Sequence, residues 1–166
     1  NYLSILRAPR TAAASLFLAM PIALAFTPPA SARVVGSTSP VNVDEQGVAL
    51  RGYDPVAYFD TGEPTPGDSG ISTRFDGALY LFASQEHRTA FLADPSRYVP
   101  QFGGFCAVGT SFGEKVDADP KTGTVINGKL YVNYNANTAQ LFEKDEAGII
   151  RRAEEQWPTV KGDAAK

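Results

Sequence analysis

Two stretches of the chain alternate apolar and polar residues around a two-residue turn. Ile71 to Phe75 and Ala78 to Phe82 flank Asp76-Gly77, while Thr124 to Ile126 and Lys129 to Tyr134 flank Asn127-Gly128. Both dipeptides tolerate positive φ at the two central positions, as the tight hairpin turn demands, so each stretch predicts a β-hairpin. Ser84 then caps a helix that runs to about Ala93, and Asp94-Pro95 stops it and starts another turn. After the second hairpin, a helical region from about Ala136 to Gln156 sets Phe142, Ile149, Ile150, Ala153 and Trp157 on one apolar face, with Gly148 as its expected break. Upstream, Asp54-Pro55 opens a short helix with Asp as N-cap and Pro at the first helical position. Residues 60–70 are rich in Gly and Pro and read as a loop, and Val41-Asn42-Val43 reads as an edge strand. The fold class is therefore α+β: a single small domain with an antiparallel sheet of two β-hairpins and helices packed on one face.

The two hairpin-plus-helix stretches, 75–91 and 126–142, align without gaps and share Gly, Leu, Tyr and Phe at four places. Two hairpins of one turn type look alike by necessity. The sequence favours shared turn chemistry slightly over an internal duplication.

Composition changes the picture at the N-terminus. A basic stretch with Arg7 and Arg10 precedes the apolar run Thr11 to Phe26, and Ala30-Ser31-Ala32 follows the pair Pro28-Pro29. This is the pattern of a cleavable signal peptide over residues 1–32, cut after Ala32, with the periplasm as destination. The apolar run is shorter than the roughly 20 residues of a membrane span and is interrupted by Pro21. Beyond it lie a polar segment (33–46), a core domain (47–158) and a C-terminal tail (159–166). Loss of Arg7 and Arg10 takes the 15 Lys and Arg to 13 against 18 Asp and Glu. That acidic balance, without basic runs, argues against nucleic-acid partners and against an anionic membrane surface.

Candidate chemistry gathers at few residues. Cys106, the single cysteine, lies in QFGGFCAVG ahead of a short helix expected between Phe105 and Phe112. It cannot form an internal disulfide. A thiol in the first turn of a helix has a lowered pKa and a reactive thiolate, whereas a thiol between Phe105 and Ala107 can equally be a small buried hydrophobe. His87, the single histidine, is the third residue of the helix capped by Ser84, where the positive helix end disfavours protonation and leaves the ring free as ligand or base. An ordinary surface or capping role is the commoner one for such a residue. Tyr53, Tyr58, Tyr80, Tyr98, Tyr131 and Tyr134 read mostly as packing residues.

Several of these segments together resemble the YHS domain family, in its longer exported branch of YHS domain-containing (seleno)proteins. The matching stretches are Gly52 to Phe59, Tyr80 to Ser84 continuing to Phe91, Asp94-Pro95 with Tyr98, Pro100 to Ala107, and Gly128 to Tyr134. The resemblance covers nearly all of residues 41–158 and makes 47–158 a YHS-like domain. Some members of the branch carry selenocysteine where Cys106 stands, which implies a chemical role for that position. Short YHS modules are associated with metal binding through cysteines, but here Ala57 and Ala83 occupy two of those positions and His87 a third. What the resemblance leaves is a soft, copper-like or other transition-metal site of Cys106 and His87 with Asp54, or one shared across a homodimer.

Two functional classes follow. One is an exported binding module centred on Cys106, acting as a metal binder or as a redox thiol that passes through a sulfenic acid or a mixed disulfide with a redox or metal-delivery partner. The other is a non-catalytic interaction or accessory domain with Cys106 in the core. A hydrolase has little support, because there is no nucleophile elbow and one His lacks triad partners. An enzyme is the less favoured class.

Overall fold

The computed structural model describes residues 35–166, so the expected signal peptide at residues 1–32 lies outside the described part. Ten elements follow in order: α1 (Ala57–Asp60), β1 (Asp68–Phe75), β2 (Ala78–Phe82), α2 (Gln85–Ala93), α3 (Pro95–Tyr98), α4 (Ala107–Ser111), β3 (Asp119–Ile126), β4 (Lys129–Asn133), α5 (Ala136–Lys144) and α6 (Glu146–Val160). The fold is a single small α+β domain. Its two antiparallel hairpins remain separate two-stranded sheets, β1-β2 and β3-β4. Among the described residues no helix is long and apolar enough to cross a membrane.

Both hairpins form where the turn dipeptides place them. Asp76 and Gly77 have φ of 48° and 80°, and Asn127 and Gly128 have 50° and 74°. Positive φ at both central positions gives the turn whose twist matches that of the strands. Thr73 faces Tyr80 in the first hairpin and Thr124 faces Tyr131 in the second. In each, the register shifts toward the open end, between Asp68 and Ser72 and between Asp119 and Thr124.

The likeness extends well beyond the turns, and it corrects the preference for shared turn chemistry. A 3-10 turn with three successive positive φ values opens each half: Leu50, Arg51 and Gly52 in one, Phe102, Gly103 and Gly104 in the other. A short helix follows each turn, α1 or α4, then a bulged hairpin, then a nine-residue helix, α2 or α5. Ser84 caps α2 by accepting from the His87 N–H, and Asn135 caps α5 by accepting from the Thr138 N–H. Asp94 and Asp145 end these helices with φ near −150°, and each starts the next, α3 or α6. Non-glycine residues in the left-handed region are uncommon. Their recurrence at matching places marks two copies of one structural unit.

Asp145, rather than Gly148, breaks the long helical region. Its carboxylate accepts from the Gly148 N–H at 3.2 Å and so caps α6. Gly148 is needed because a side chain there would collide with that capping carboxylate. Of the apolar face expected here, Phe142, Ile149 and Ala153 are buried, and Ile150 and Trp157 pack against them.

Each unit has its own core. Phe91 is fully buried in the first, with its ring 5.0 Å from Tyr80 and 5.2 Å from Phe82. Phe142 takes that place in the second, 5.6 Å from Tyr131. A third cluster joins the units: Leu50 and Tyr58 meet Ala118, Leu130 and Val132, and the Tyr58 hydroxyl donates to the Pro120 carbonyl at 2.7 Å.

The C-terminal residues are packed rather than trailing. Ala165 is buried and exchanges backbone hydrogen bonds with Gly36 and Ser37. Beside this pairing the buried Lys115 ammonium donates to the carbonyls of Ser39 (2.7 Å), Lys161 (3.1 Å) and Asp163 (2.8 Å). It also lies 4.8 Å from the centre of the Phe105 ring, a cation–π distance. Lys115→Met keeps much of the stem's packing but leaves those carbonyls without their donor. It is expected to lower the unfolding free energy by about 2–4 kcal/mol in denaturant titrations and to expose residues 161–166 to proteolysis.

Candidate functional site

The best-organised polar cluster starts at Asp54, which is fully buried. One carboxylate oxygen accepts from the N–H groups of Val56 (2.8 Å) and Ala57 (3.4 Å) at the start of α1. The other accepts from the Ala83 N–H (2.7 Å), just after β2, and contacts His87 Nδ1 at 2.6 Å. A carboxylate held by three N–H groups can only accept, so Nδ1 carries the hydrogen of that last bond. Three peptide N–H groups and an imidazole thus hold one buried carboxyl group.

His87 carries the cluster to the surface. Its side chain is 19% exposed, and Nε2 stands 3.4 Å from the carboxylate of the exposed Asp60. Burial alone would lower the imidazole pKa. The hydrogen bond and charge of Asp54, followed by those of Asp60, outweigh it and raise the pKa above 6.5. This corrects the expectation of a ring kept neutral by the helix end: two carboxylates exert a stronger field than the partial charge of a helix terminus. Asp60 was not singled out in the sequence, where it reads as the first residue of a loop.

Cys106 occupies the equivalent place in the second unit. It caps α4, with Sγ accepting from the Gly109 N–H at 3.4 Å. The N–H groups of Tyr134 and Val108 also lie near enough to the sulfur to lower its pKa together with that of Gly109. Gly109, Tyr134 and Val108 correspond to Ala57, Ala83 and Val56 around Asp54, so the two side chains fill the same cage. Of the two readings of this thiol, its burial accords with that of a small buried hydrophobe. Cys106 is 1% exposed, and burial raises its pKa more than the three N–H groups lower it.

The second cage is closed by Asn133, fully buried, where the first has Phe82. Its Oδ1 accepts from the Val108 N–H at 3.3 Å and lies 3.8 Å from Sγ. Its Nδ2 has no hydrogen-bond partner, alone in this among the buried side-chain nitrogens and oxygens of the described residues.

The structure therefore brings His87 and Asp54 together and places Cys106 in the other unit. A metal site of Cys106, His87 and Asp54 is not assembled within the chain. Both oxygens of Asp54 are engaged by N–H groups, and Cys106 is enclosed by its own core cluster. Among the described residues, no group of three or more His, Cys, Asp or Glu side chains is arranged to hold an ion. Of the tyrosines read mostly as packing residues, Tyr58, Tyr80 and Tyr131 are buried and Tyr134 is exposed. No family model, curated protein or solved structure matches the chain.

The raised pKa of His87 sets a pH dependence. Its contribution to stability is complete below the unfolded value of about 6.5 and is lost as pH rises through the folded value. Unfolding midpoints measured across that window should fall with rising pH in the wild type, and His87→Gln should remove this component. The single imidazole can be followed directly by NMR titration. Asp54→Ala leaves three N–H groups and the imidazole without their acceptor and should cost about 3–5 kcal/mol, measured by denaturant unfolding.

Proposed function

We propose that this chain is an exported, non-catalytic binding module of YHS type in which Cys106 is a structural residue. One observation carries the reading: Cys106 and Asp54 fill equivalent backbone N–H cages, each tying the start of a short helix to the residue that follows a hairpin. In the first unit that task belongs to a fully buried carboxylate. The thiol performs the same task in the second. A redox or metal-binding thiol needs an accessible sulfur with a lowered pKa, and Cys106 has neither property. The Thr11 to Phe26 run followed by Ala30-Ser31-Ala32 supports export to the periplasm.

The test is the reactivity of Cys106. Under native conditions iodoacetamide should leave it unmodified, and in denaturant it should alkylate fully, both read by intact mass. Cys106→Ser should retain the native circular dichroism spectrum and lose about 1–3 kcal/mol of stability. Rapid alkylation of the folded protein would overturn the structural assignment.

A further inference from the structure

At the seam between the two units lies an open groove with a volume of about 640 Å3. This falls within the roughly 300–1,000 Å3 of sites that hold small molecules. Four aromatic residues line it: Phe75 and Tyr80 from the first hairpin, Phe102 from the second 3-10 turn and Trp157 from α6. The Trp157 ring is braced by its neighbours, with centroids 6.1 Å from Phe102 and 6.2 Å from Phe105. It is therefore a fixed wall. Lys161, one helical turn after Trp157, and Asp76, at the tip of the first hairpin, complete the lining with opposite charges. Neither belongs to an ion pair in the described structure, in contrast to the paired Arg51, Lys129, Arg151, Arg152 and Lys166.

We propose that this groove binds a small aromatic zwitterion, a ring carrying one acidic and one basic group. The inference rests on the reading of the chain as a binding module. The ring lies against Trp157 and Phe102, where apolar walls and stacking favour a flat, polarisable body. The acidic group meets the Lys161 ammonium on the same helix face as Trp157, since residues four apart on a helix are neighbours. The basic group meets the Asp76 carboxylate, which also lies close enough to Tyr80 to reinforce the rise that burial gives that hydroxyl's pKa. An anion alone would leave Asp76 opposing it, and a cation alone would face Lys161. Only a ligand with both charges satisfies the two sides.

Trp157 is the single tryptophan, so its emission reports directly on the groove. The experiment titrates the protein with L-phenylalanine, 3-phenylpropionate and phenethylamine, exciting at a wavelength the probes do not absorb. A saturable change should appear, with phenylalanine binding roughly threefold to fivefold more tightly than either singly charged probe. Lys161→Gln should bring phenylalanine level with phenethylamine, and Asp76→Asn should bring it level with 3-phenylpropionate. Asp76→Asn recreates the Asn-Gly turn of the second hairpin and so preserves the fold, which an unchanged circular dichroism spectrum would verify. Amide shifts on binding should centre on Gln101 and Gly103, which also line the groove. Equal affinity for the three probes, no saturable change at millimolar concentration, or shifts centred elsewhere would overturn the proposal. Those results would leave the structural reading of Cys106 standing, and alkylation of native Cys106 would overturn that reading without touching the groove.

Discussion

Buried peptide N–H groups must find acceptors, and in this fold three of them converge twice. Two come from the start of a short helix and the third from the residue that ends a hairpin. Leaving such groups unpaired costs about 1–3 kcal/mol each, so each cage needs a side chain at its centre. Asp54 supplies an acceptor in the first unit and Cys106 in the second. Through them α1 is fixed against the end of β2, and α4 against the end of β4. The core clusters around Phe91 and Phe142 pack beside these frames.

The two centres differ in charge, and the units differ accordingly. The Asp54 carboxylate meets His87 Nδ1, and the imidazole links it to Asp60 at the surface. The thiol is weakly polar and needs no counter-charge, and Thr138 stands where the first unit has His87, its side chain engaged in the capping box of α5. The enclosed second unit instead holds a neutral amide, Asn133. One frame thus supports a polar relay that reaches solvent and a sealed centre of thiol and amide.

Much of the local structure was legible in the sequence because its causes are local. Asp76-Gly77 and Asn127-Gly128 require positive φ, and Ser84 lies three residues before the N–H it caps. The cages were not legible. Ala83 follows Asp54 by 29 residues, and no periodicity announces such a meeting. The equivalence of an aspartate with a cysteine was hidden because the residues share no chemical type, only a relation to three N–H groups. The repeated 3-10 turns were hidden too, since Leu50, Arg51 and Phe102 are not residues from which positive φ is expected. The helix end does not govern His87, because two carboxylates distant in sequence, Asp54 and Asp60, outweigh that local effect.

The pairing of Ala165 with Gly36 and Ser37 has a topological consequence. The chain enters and leaves the fold at neighbouring points, held together by the Lys115 ammonium. The fold is therefore, in effect, a closed ring with one seam. It can sit within a surface loop of an unrelated host without forcing the ends of that loop apart. By the same geometry the seam can be joined by a short linker and the ring reopened at Asn127-Gly128, where the turn is exposed and no core contact is cut.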